Sequence, residues 1–162
     1  MDIQLKNSKR NAFELKVKPD VVLLITAISM WVSTLVIPSF EMSVFPRAFI
    51  GVLLALVGIC IIQAAGVSFR RACTTVVPTQ PDTASSLVIS GLYSITRNPM
   101  YAGMVLILLG WATFLLNLAS FGLVIFFVAY IWRFQIIPEE RALHSLFGNK
   151  YATYKSRVRR WL

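Results

Sequence analysis

The sequence predicts an all-α membrane protein with four transmembrane helices in two hairpins and a C-terminal amphipathic helical segment. Three observations predict this fold class. The chain is 57% hydrophobic and 14% charged, with a mean hydropathy of +0.69, whereas about a quarter of a soluble domain is charged. Its hydrophobic residues form long uncharged runs, and its basic residues lie between those runs. We therefore expect one membrane domain over residues 1–162.

Each predicted span is an uncharged run close to the roughly 20 residues that cross a bilayer as a helix. We expect the spans at residues 21–40, 48–69, 99–116 and 119–137, with tight connections within each hairpin. A polar step at 116–120 divides the last apolar stretch, so the fourth span contains Arg133. The first span is not expected to be a cleavable signal peptide, because its apolar run is too long and no small-residue cleavage site follows.

The basic residues predict the orientation. Most of the 16 Lys and Arg residues fall in the N-terminal arm, the loop 70–97 and the tail 138–162, which the positive-inside rule places in the cytoplasm. Arg47 then lies on the far side. The net charge of +9 is explained by this topology and by attraction to anionic lipid, so we do not expect nucleic-acid binding. Cys60, Cys73 and the single His144 indicate neither a disulfide framework nor a metal site.

The tail is predicted to form an interfacial helix that breaks or bends at Gly148. Apolar residues recur there at steps of three and four, with basic residues on the opposite face. The members of this apolar face are Leu143, Leu146, Phe147, Tyr151, Tyr154, Val158 and Trp161.

The stretch "RNPMY" at residues 97–101 has a purely structural interpretation. Asn98 is a favoured N-cap, and Pro99 suits the first turn of a helix because its missing N–H is not needed there. Arg97 would lie at the positive-inside boundary and Tyr101 in the aromatic belt. Taken alone, the stretch indicates the start of a membrane helix.

Two other features suggest a functional site at the same depth. Arg133 lies inside a span, where a charge either snorkels to the interface or has a function. Glu139 and Glu140 follow Pro138, which is expected to end the fourth span. Acidic residues in a first helical turn complement the helix dipole, but the chain has only seven of them. With Arg97 they suit a zwitterionic, amino-acid-bearing nucleotide.

The stretch "SGLYSITRNPMYAG" and the later "PEERALHSLFGNKYATYKSRVRRW" resemble the isoprenylcysteine carboxyl methyltransferase-like family of membrane enzymes. That family is itself similar to the phospholipid N-methyltransferases. The likeness covers residues of about 74–161. The matching positions are Gly91, Tyr93, Arg97, Asn98, Pro99, Tyr101, Gly103, Glu139, Glu140, Leu143, Phe147, Gly148, Tyr151 and Tyr154.

The resemblance implies a methyltransferase that uses S-adenosyl-L-methionine and a lipophilic acceptor that enters from the bilayer. The cofactor-binding residues that it implies are Tyr93, Arg97, Asn98, Pro99, Tyr101, Gly103, Glu139, Glu140 and Tyr151. For a carboxylate acceptor, such as a prenylcysteine-like lipid, Arg133 would orient the nucleophile and no base is needed. For an amine or hydroxyl acceptor, Glu139 or Glu140 would serve as the base.

One position departs from part of the family. The eukaryotic prenylcysteine enzymes have His where this chain has Asn98, whereas bacterial relatives commonly have Asn. The resemblance therefore implies retained cofactor binding, an open acceptor specificity and a prokaryotic inner membrane. The alternatives are a non-enzymatic four-helix transporter or scaffold subunit, a phospholipid N-methyltransferase and, at a much greater expected length, a sterol-reductase-like enzyme.

Overall fold

The structure, a computed structural model, describes residue 15 and the ranges 17–71 and 86–161. Most of the basic N-terminal arm, the first part of the loop 70–97 and Cys73 fall outside these residues. Within them the chain is helical, and its only β-type pairing is an isolated parallel bridge between Thr96 and Arg159. The helices are α1 Pro19–Ser33, α2 Val44–Arg71, α3 Pro99–Leu115, α4 Leu118–Ile131, α5 Ile137–Phe147 and α6 Asn149–Arg157.

Two helical segments are long and apolar enough to cross a membrane, namely Val44–Arg71 and the continuous segment Leu118–Phe147. The other two apolar helices are shorter, with 15 residues in α1 and 17 in α3. Large hydrophobic side chains are exposed along α1 and α2, among them Leu24 and Phe49. A soluble protein rarely exposes so continuous an apolar surface, so these faces fit a lipid environment.

The first helix ends earlier than its apolar run. We expected a span over 21–40, but α1 stops at Ser33, and residues 34–43 form a longer connection than a tight hairpin. Pro38 accounts for the difference, because the residue before a proline is driven away from helical backbone angles. The α2 helix begins at Val44, before the predicted residue 48. The second helix is therefore longer than predicted, whereas the first is shorter.

Helices α2 and α3 pack antiparallel with their backbones in direct contact at two glycine pairs. A Cβ added to Gly58 would lie 2.5 Å from the Gly103 carbonyl oxygen, and one added to Gly110 would lie 2.5 Å from the Gly51 carbonyl oxygen. Only glycine allows this approach, because any Cβ would overlap the opposite backbone. We call these contacts the α2–α3 glycine seam.

Asn117 organises the end of the bundle where α3 meets α4. It is fully buried, its Nδ2 donates to the Ile37 carbonyl oxygen at 2.6 Å, and its Oδ1 accepts from Ser120 N and Ser33 Oγ, each at 3.3 Å. One side chain thus caps α4 and holds the α1–α2 connection. We call Asn117 and these three partners the Asn117 hub.

Pro138 does not end the fourth helix, contrary to expectation. Helix α4 passes through a π-helical turn at Trp132–Ile136 directly into α5. A proline inside a helix clashes with the carbonyl group four residues earlier, here that of Phe134, and leaves it without its helical partner. The freed Phe134 oxygen instead accepts a hydrogen bond from Leu15 N at 3.2 Å. The π-helical turn therefore attaches the segment before α1 to α4.

Candidate functional site

The chain entering α3 is held by the last residues of the tail. Asn98 occupies the N-cap position and Pro99 the first turn, but the Asn98 side chain does not cap the helix. Its Nδ2 donates to the Arg160 carbonyl oxygen at 3.0 Å, and Thr96 Oγ1 donates to the same oxygen at 3.1 Å. Arg97 N donates to the Arg159 carbonyl oxygen at 2.9 Å. The tail therefore runs alongside residues 96–98 as a short strand-like segment.

Glu140 is the centre of the charged part of the site. Arg160 binds it with two nitrogens, Nε to Oε1 at 2.8 Å and Nη2 to Oε2 at 2.9 Å. Arg97 Nη1 lies 3.0 Å from Oε1, and Lys155 Nζ lies 3.7 Å from Oε2. The hydrogen bond from Arg160 to Glu140 raises the pKa of Arg160, so Arg160 stays cationic. Three cations around one carboxylate leave a positive excess beside the start of α3.

Arg97 has one nitrogen in this cluster that makes no hydrogen bond within the described part of the chain. Its side chain is 9% exposed, so bulk water has little access to it. Besides Glu140 it contacts Tyr151, whose hydroxyl lies 3.5 Å from Nη1. Its Nε is buried and has no hydrogen-bond partner within the described part of the chain. A buried donor without a partner costs about 1–3 kcal/mol. An anionic ligand that accepted a hydrogen bond from this nitrogen would remove that cost.

A second carboxylate, Glu139, faces α3 rather than the tail. Its Oε1 accepts a short hydrogen bond from the Tyr101 hydroxyl group. Tyr101 is buried and Glu139 is half-buried. The two neighbouring glutamates therefore have separate environments, one neutralised by arginines and one joined to a phenol.

Aromatic rings lie beside these groups where the tail packs on the helices. Tyr154 donates its hydroxyl group to the Tyr93 carbonyl oxygen at 2.7 Å, and its ring centre lies 6.2 Å from that of Tyr151. Burial raises the pKa of Tyr93, Tyr151 and Tyr154, so all three stay neutral phenols at ordinary pH. Tyr93 also packs with Phe69 near the end of α2. Flat apolar walls of this kind suit a nucleobase.

Most of the predicted site residues lie at this end of the bundle, but they form four groups. Arg97, Glu140 and Tyr151 share direct contacts, and Tyr101 and Glu139 pair with each other. Asn98 and Pro99 shape the start of α3, and Tyr93 is reached through Tyr154.

Gly103, for which the family motif implies a cofactor contact, packs directly against α2. It is one turn into α3 and belongs to the α2–α3 glycine seam, where it meets the Gly58 carbonyl group. Its place in the motif is explained by this close helix contact, which fixes the height of α3 relative to α2.

Arg133 lies apart from the Arg97–Glu140 contacts. Its side chain is exposed, and its guanidinium carbon lies 5.4 Å from the centre of the Phe134 ring. The π-helical turn contributes to this placement, because it changes the phase of the helix between α4 and the glutamates.

Two buried or half-buried polar residues were not predicted from the sequence. Arg160 supplies both nitrogens to Glu140, yet in the sequence it is one of several tail arginines. Gln135 is fully buried and stands four residues before Glu139. The sequence signal that could have identified Gln135 is a polar residue inside a predicted apolar span. Among the described residues, His, Cys, Asp and Glu form no group of three that could hold a metal ion.

Comparison with known proteins assigns the family. The phospholipid methyltransferase family matches residues 46–150, a range that contains nearly all of α2, the whole of α3 and α4, and both glutamates. The chain belongs to the phospholipid methyltransferase family. Its similarity to protein-S-isoprenylcysteine O-methyltransferases agrees with the predicted resemblance. Protein-S-isoprenylcysteine O-methyltransferase B of Arabidopsis thaliana is 31% identical over 67% of this chain and 55% of its own length. The Saccharomyces cerevisiae enzyme is 32% identical over 59% of this chain and 38% of its own length.

These relatives of the phospholipid methyltransferase family are longer than this chain, which spans about half the length of the plant enzymes that it matches. A protein of Haemophilus influenzae with no assigned activity is 48% identical over 39% of this chain and 100% of its own length. No solved structure matches the chain.

Proposed function

We propose that this protein is an integral membrane methyltransferase that uses S-adenosyl-L-methionine and methylates the carboxylate of a prenylcysteine-like or other lipid-like acceptor. The observation that carries the proposal is the nearly buried Arg97, whose Nε lacks a partner among the described residues, beside Glu140 and Tyr151. Membership of the phospholipid methyltransferase family favours this function over a transporter or scaffold subunit.

The side chains present fit this cofactor. Its carboxylate matches the unpartnered nitrogen of Arg97, and its positive charges match Glu139, which is joined to Tyr101. The phenol rings of Tyr93 and Tyr151 offer apolar faces to the base. When bound, S-adenosyl-L-methionine supplies an electrophilic methyl group on a sulfonium ion.

The remaining roles belong to the protein. Glu140 and Arg160 hold Arg97 in place, and the tail covers the start of α3 and excludes water. Methyl transfer to a carboxylate needs alignment more than proton transfer, and near-attack positioning can contribute roughly 7–11 kcal/mol. Arg133, exposed on the helix surface, would attract the acceptor carboxylate towards the site from the membrane interface.

N-methylation of a phospholipid is the second candidate, and the Tyr101–Glu139 pair is the observation that favours it. An amine acceptor must lose a proton, and Glu139 is a half-buried carboxylate that can take it. The two candidates differ in one measurement. Replacing Glu139 by Gln should strongly slow transfer to an amine, whereas transfer to a carboxylate should lose only what cofactor binding loses.

The membrane placement forms part of the proposal. We propose that α1 and α3 span the membrane together with the two longer helical segments, as four spans with both termini in the cytoplasm of a prokaryotic inner membrane. Exposed apolar side chains on α1 and the direct contact of α3 with α2 support this arrangement. Acceptor and anionic lipid would then reach the site from the bilayer.

Calorimetric titration of the detergent-purified protein with S-adenosyl-L-methionine tests the proposal. We expect saturable binding, and a loss of about tenfold or more in Arg97→Met, because a hydrogen bond to a charged group contributes about 1.5–3 kcal/mol. Arg157→Met, at an exposed tail position, is the matched control and should bind normally.

Thermal unfolding of each variant separates lost binding from lost structure, and Arg97→Lys keeps the charge if Arg97→Met does not fold. Absence of saturable binding by the folded wild type would overturn the proposed function. Equal affinities of folded Arg97→Met and Arg157→Met would show that Arg97 is not the cofactor anchor.

A further inference from the structure

Gln135 is a fully buried polar residue inside the apolar fourth span. It lies in the π-helical turn Trp132–Ile136, and the residue after it, Ile136, is also fully buried. Polar side chains at membrane depth are costly and usually have either a partner or a function. Single π-helical turns within α-helices are also frequent at functional sites.

One side of the Gln135 carboxamide has a fixed partner. Its Nε2 donates to the Val17 carbonyl oxygen at 2.7 Å. The amide cannot be turned around, because the Val17 oxygen is only an acceptor and would then face Oε1. The nitrogen is therefore committed to the segment before α1, and the oxygen must be directed elsewhere.

The other side of the carboxamide has no partner. Gln135 Oε1 is buried and receives no hydrogen bond within the described ranges. The contrast with the neighbouring backbone is informative, since the Phe134 oxygen that Pro138 frees is satisfied by Leu15 N. An unsatisfied buried acceptor costs about 1–3 kcal/mol, so a ligand that donated a hydrogen bond to this oxygen would remove that cost.

Gln135 is close to the proposed reaction site. Gln135 and Glu139 lie four residues apart in the continuous helical segment Leu118–Phe147, roughly 6 Å along the helix axis, and Ile131 and Gln135 are both fully buried. Glu139 pairs with Tyr101 further along this segment, towards the tail. Buried apolar residues are thus followed along the helix by a carboxamide and then a carboxylate, an order that matches the tail and the polar head of an amphiphile.

We propose that Gln135 binds the methyl acceptor, its carboxamide oxygen accepting a hydrogen bond from an N–H or O–H group on the acceptor's polar head. This inference rests on the proposed function and adds a determinant of specificity to it. Acceptors whose heads carry such a donor next to the methylated group are preferred over acceptors of equal length that lack it. A buried water molecule is the competing occupant of the Gln135 oxygen.

Two acceptor probes that differ in one donor test this proposal. N-acetyl-S-farnesyl-L-cysteine carries an amide N–H beside its carboxylate, and S-farnesyl-thiopropanoic acid has the same tail and carboxylate without the amide. Transfer of a labelled methyl group from S-adenosyl-L-methionine to each probe is measured with the full-length protein in detergent. The readout is the ratio of the two kcat/KM values.

We expect Gln135→Met to lower this ratio about five- to tenfold relative to wild type. Gln135→Glu keeps an acceptor oxygen at the same position and should keep the ratio. Loss of the Val17 contact in Gln135→Met affects both probes alike and therefore cancels in the ratio.

The failures are distinguishable. Equal losses on both probes in Gln135→Met, or a wild-type ratio near one, assign the oxygen to water and overturn this inference while the proposed function stands. If the folded wild type neither binds S-adenosyl-L-methionine nor methylates either probe, the proposed function fails and the inference fails with it.

Discussion

The Asn117 hub lies at one end of α3, and the Arg97–Glu140 cluster of Arg97, Glu140, Tyr151, Lys155 and Arg160 lies at the other. The two differ in how many of their polar groups are hydrogen-bonded. Each side of the Asn117 amide has a partner from the chain itself. In the Arg97–Glu140 cluster, Arg97 Nε has none among the described residues. The fully bonded cluster closes the structure, whereas the partly bonded one has capacity left for a ligand.

Arg47 is the exception near the Asn117 hub, because its buried Nε also lacks a partner in the described structure. Its guanidinium carbon lies 5.6 Å from the centre of the Phe114 ring, and this stacking is the contact that it makes instead.

The largest expected effect is that of Glu140→Gln. This change leaves Arg97 and Arg160 without their shared charge, and breaking a buried ion pair costs about 3–5 kcal/mol. We expect the free energy of unfolding in detergent and the affinity for S-adenosyl-L-methionine to fall together. Glu41→Gln, at an exposed position outside the helices, is the control. Similar unfolding curves for the two variants would show that the ion pairs of Glu140 do not stabilise the protein.

A smaller effect is expected from Asn117→Ala. The change leaves the Ile37 carbonyl oxygen without its donor, which costs about 1–3 kcal/mol, whereas Ser120 N–H keeps its bond to the backbone oxygen of residue 117. Cofactor affinity per folded molecule should not change, and Asn149→Ala at an exposed position should alter neither quantity. A cofactor affinity that falls in folded Asn117→Ala would break the distinction between the two regions.

The smallest effect is expected from Tyr154→Phe. It removes the hydroxyl group that donates to the Tyr93 carbonyl oxygen, so the free energy of unfolding should drop by about 0.5–1.5 kcal/mol. Tyr130→Phe is the matched control, because the Tyr130 hydroxyl has no hydrogen bond within the described residues. Equal melting temperatures of the two variants would show that the Tyr93–Tyr154 contact does not hold the tail.

Local signals in the sequence predicted the helices well where the cause was local. Asn98 and Pro99 do begin α3, and Gly148 does separate α5 from α6 with a positive φ of 49°. The break in the long apolar stretch also lies where the polar Asn117 stands. These features depend on backbone angles and caps that neighbouring residues determine.

Contacts between distant parts of the chain could not be read in the same way. The Asn98 amide binds the Arg160 carbonyl oxygen, 62 residues away, instead of capping its own helix. The π-helical turn before Pro138 depends on whether another segment takes the freed Phe134 carbonyl, and Leu15 does so from a distant place in the sequence. Family resemblance found Arg97 and Glu140, but only the fold separates Glu139 from Glu140 by their partners.

The α2–α3 glycine seam also limits how a lipid can reach the site. Non-bonded carbon atoms need about 3.5–4 Å between their centres, so a hydrocarbon chain cannot slide between backbones that would meet an added Cβ at 2.5 Å. The seam is therefore closed to a lipid chain at the Gly51–Gly110 and Gly58–Gly103 contacts. Under the proposed function, an acceptor from the bilayer would therefore enter on a side of the helical bundle other than this seam.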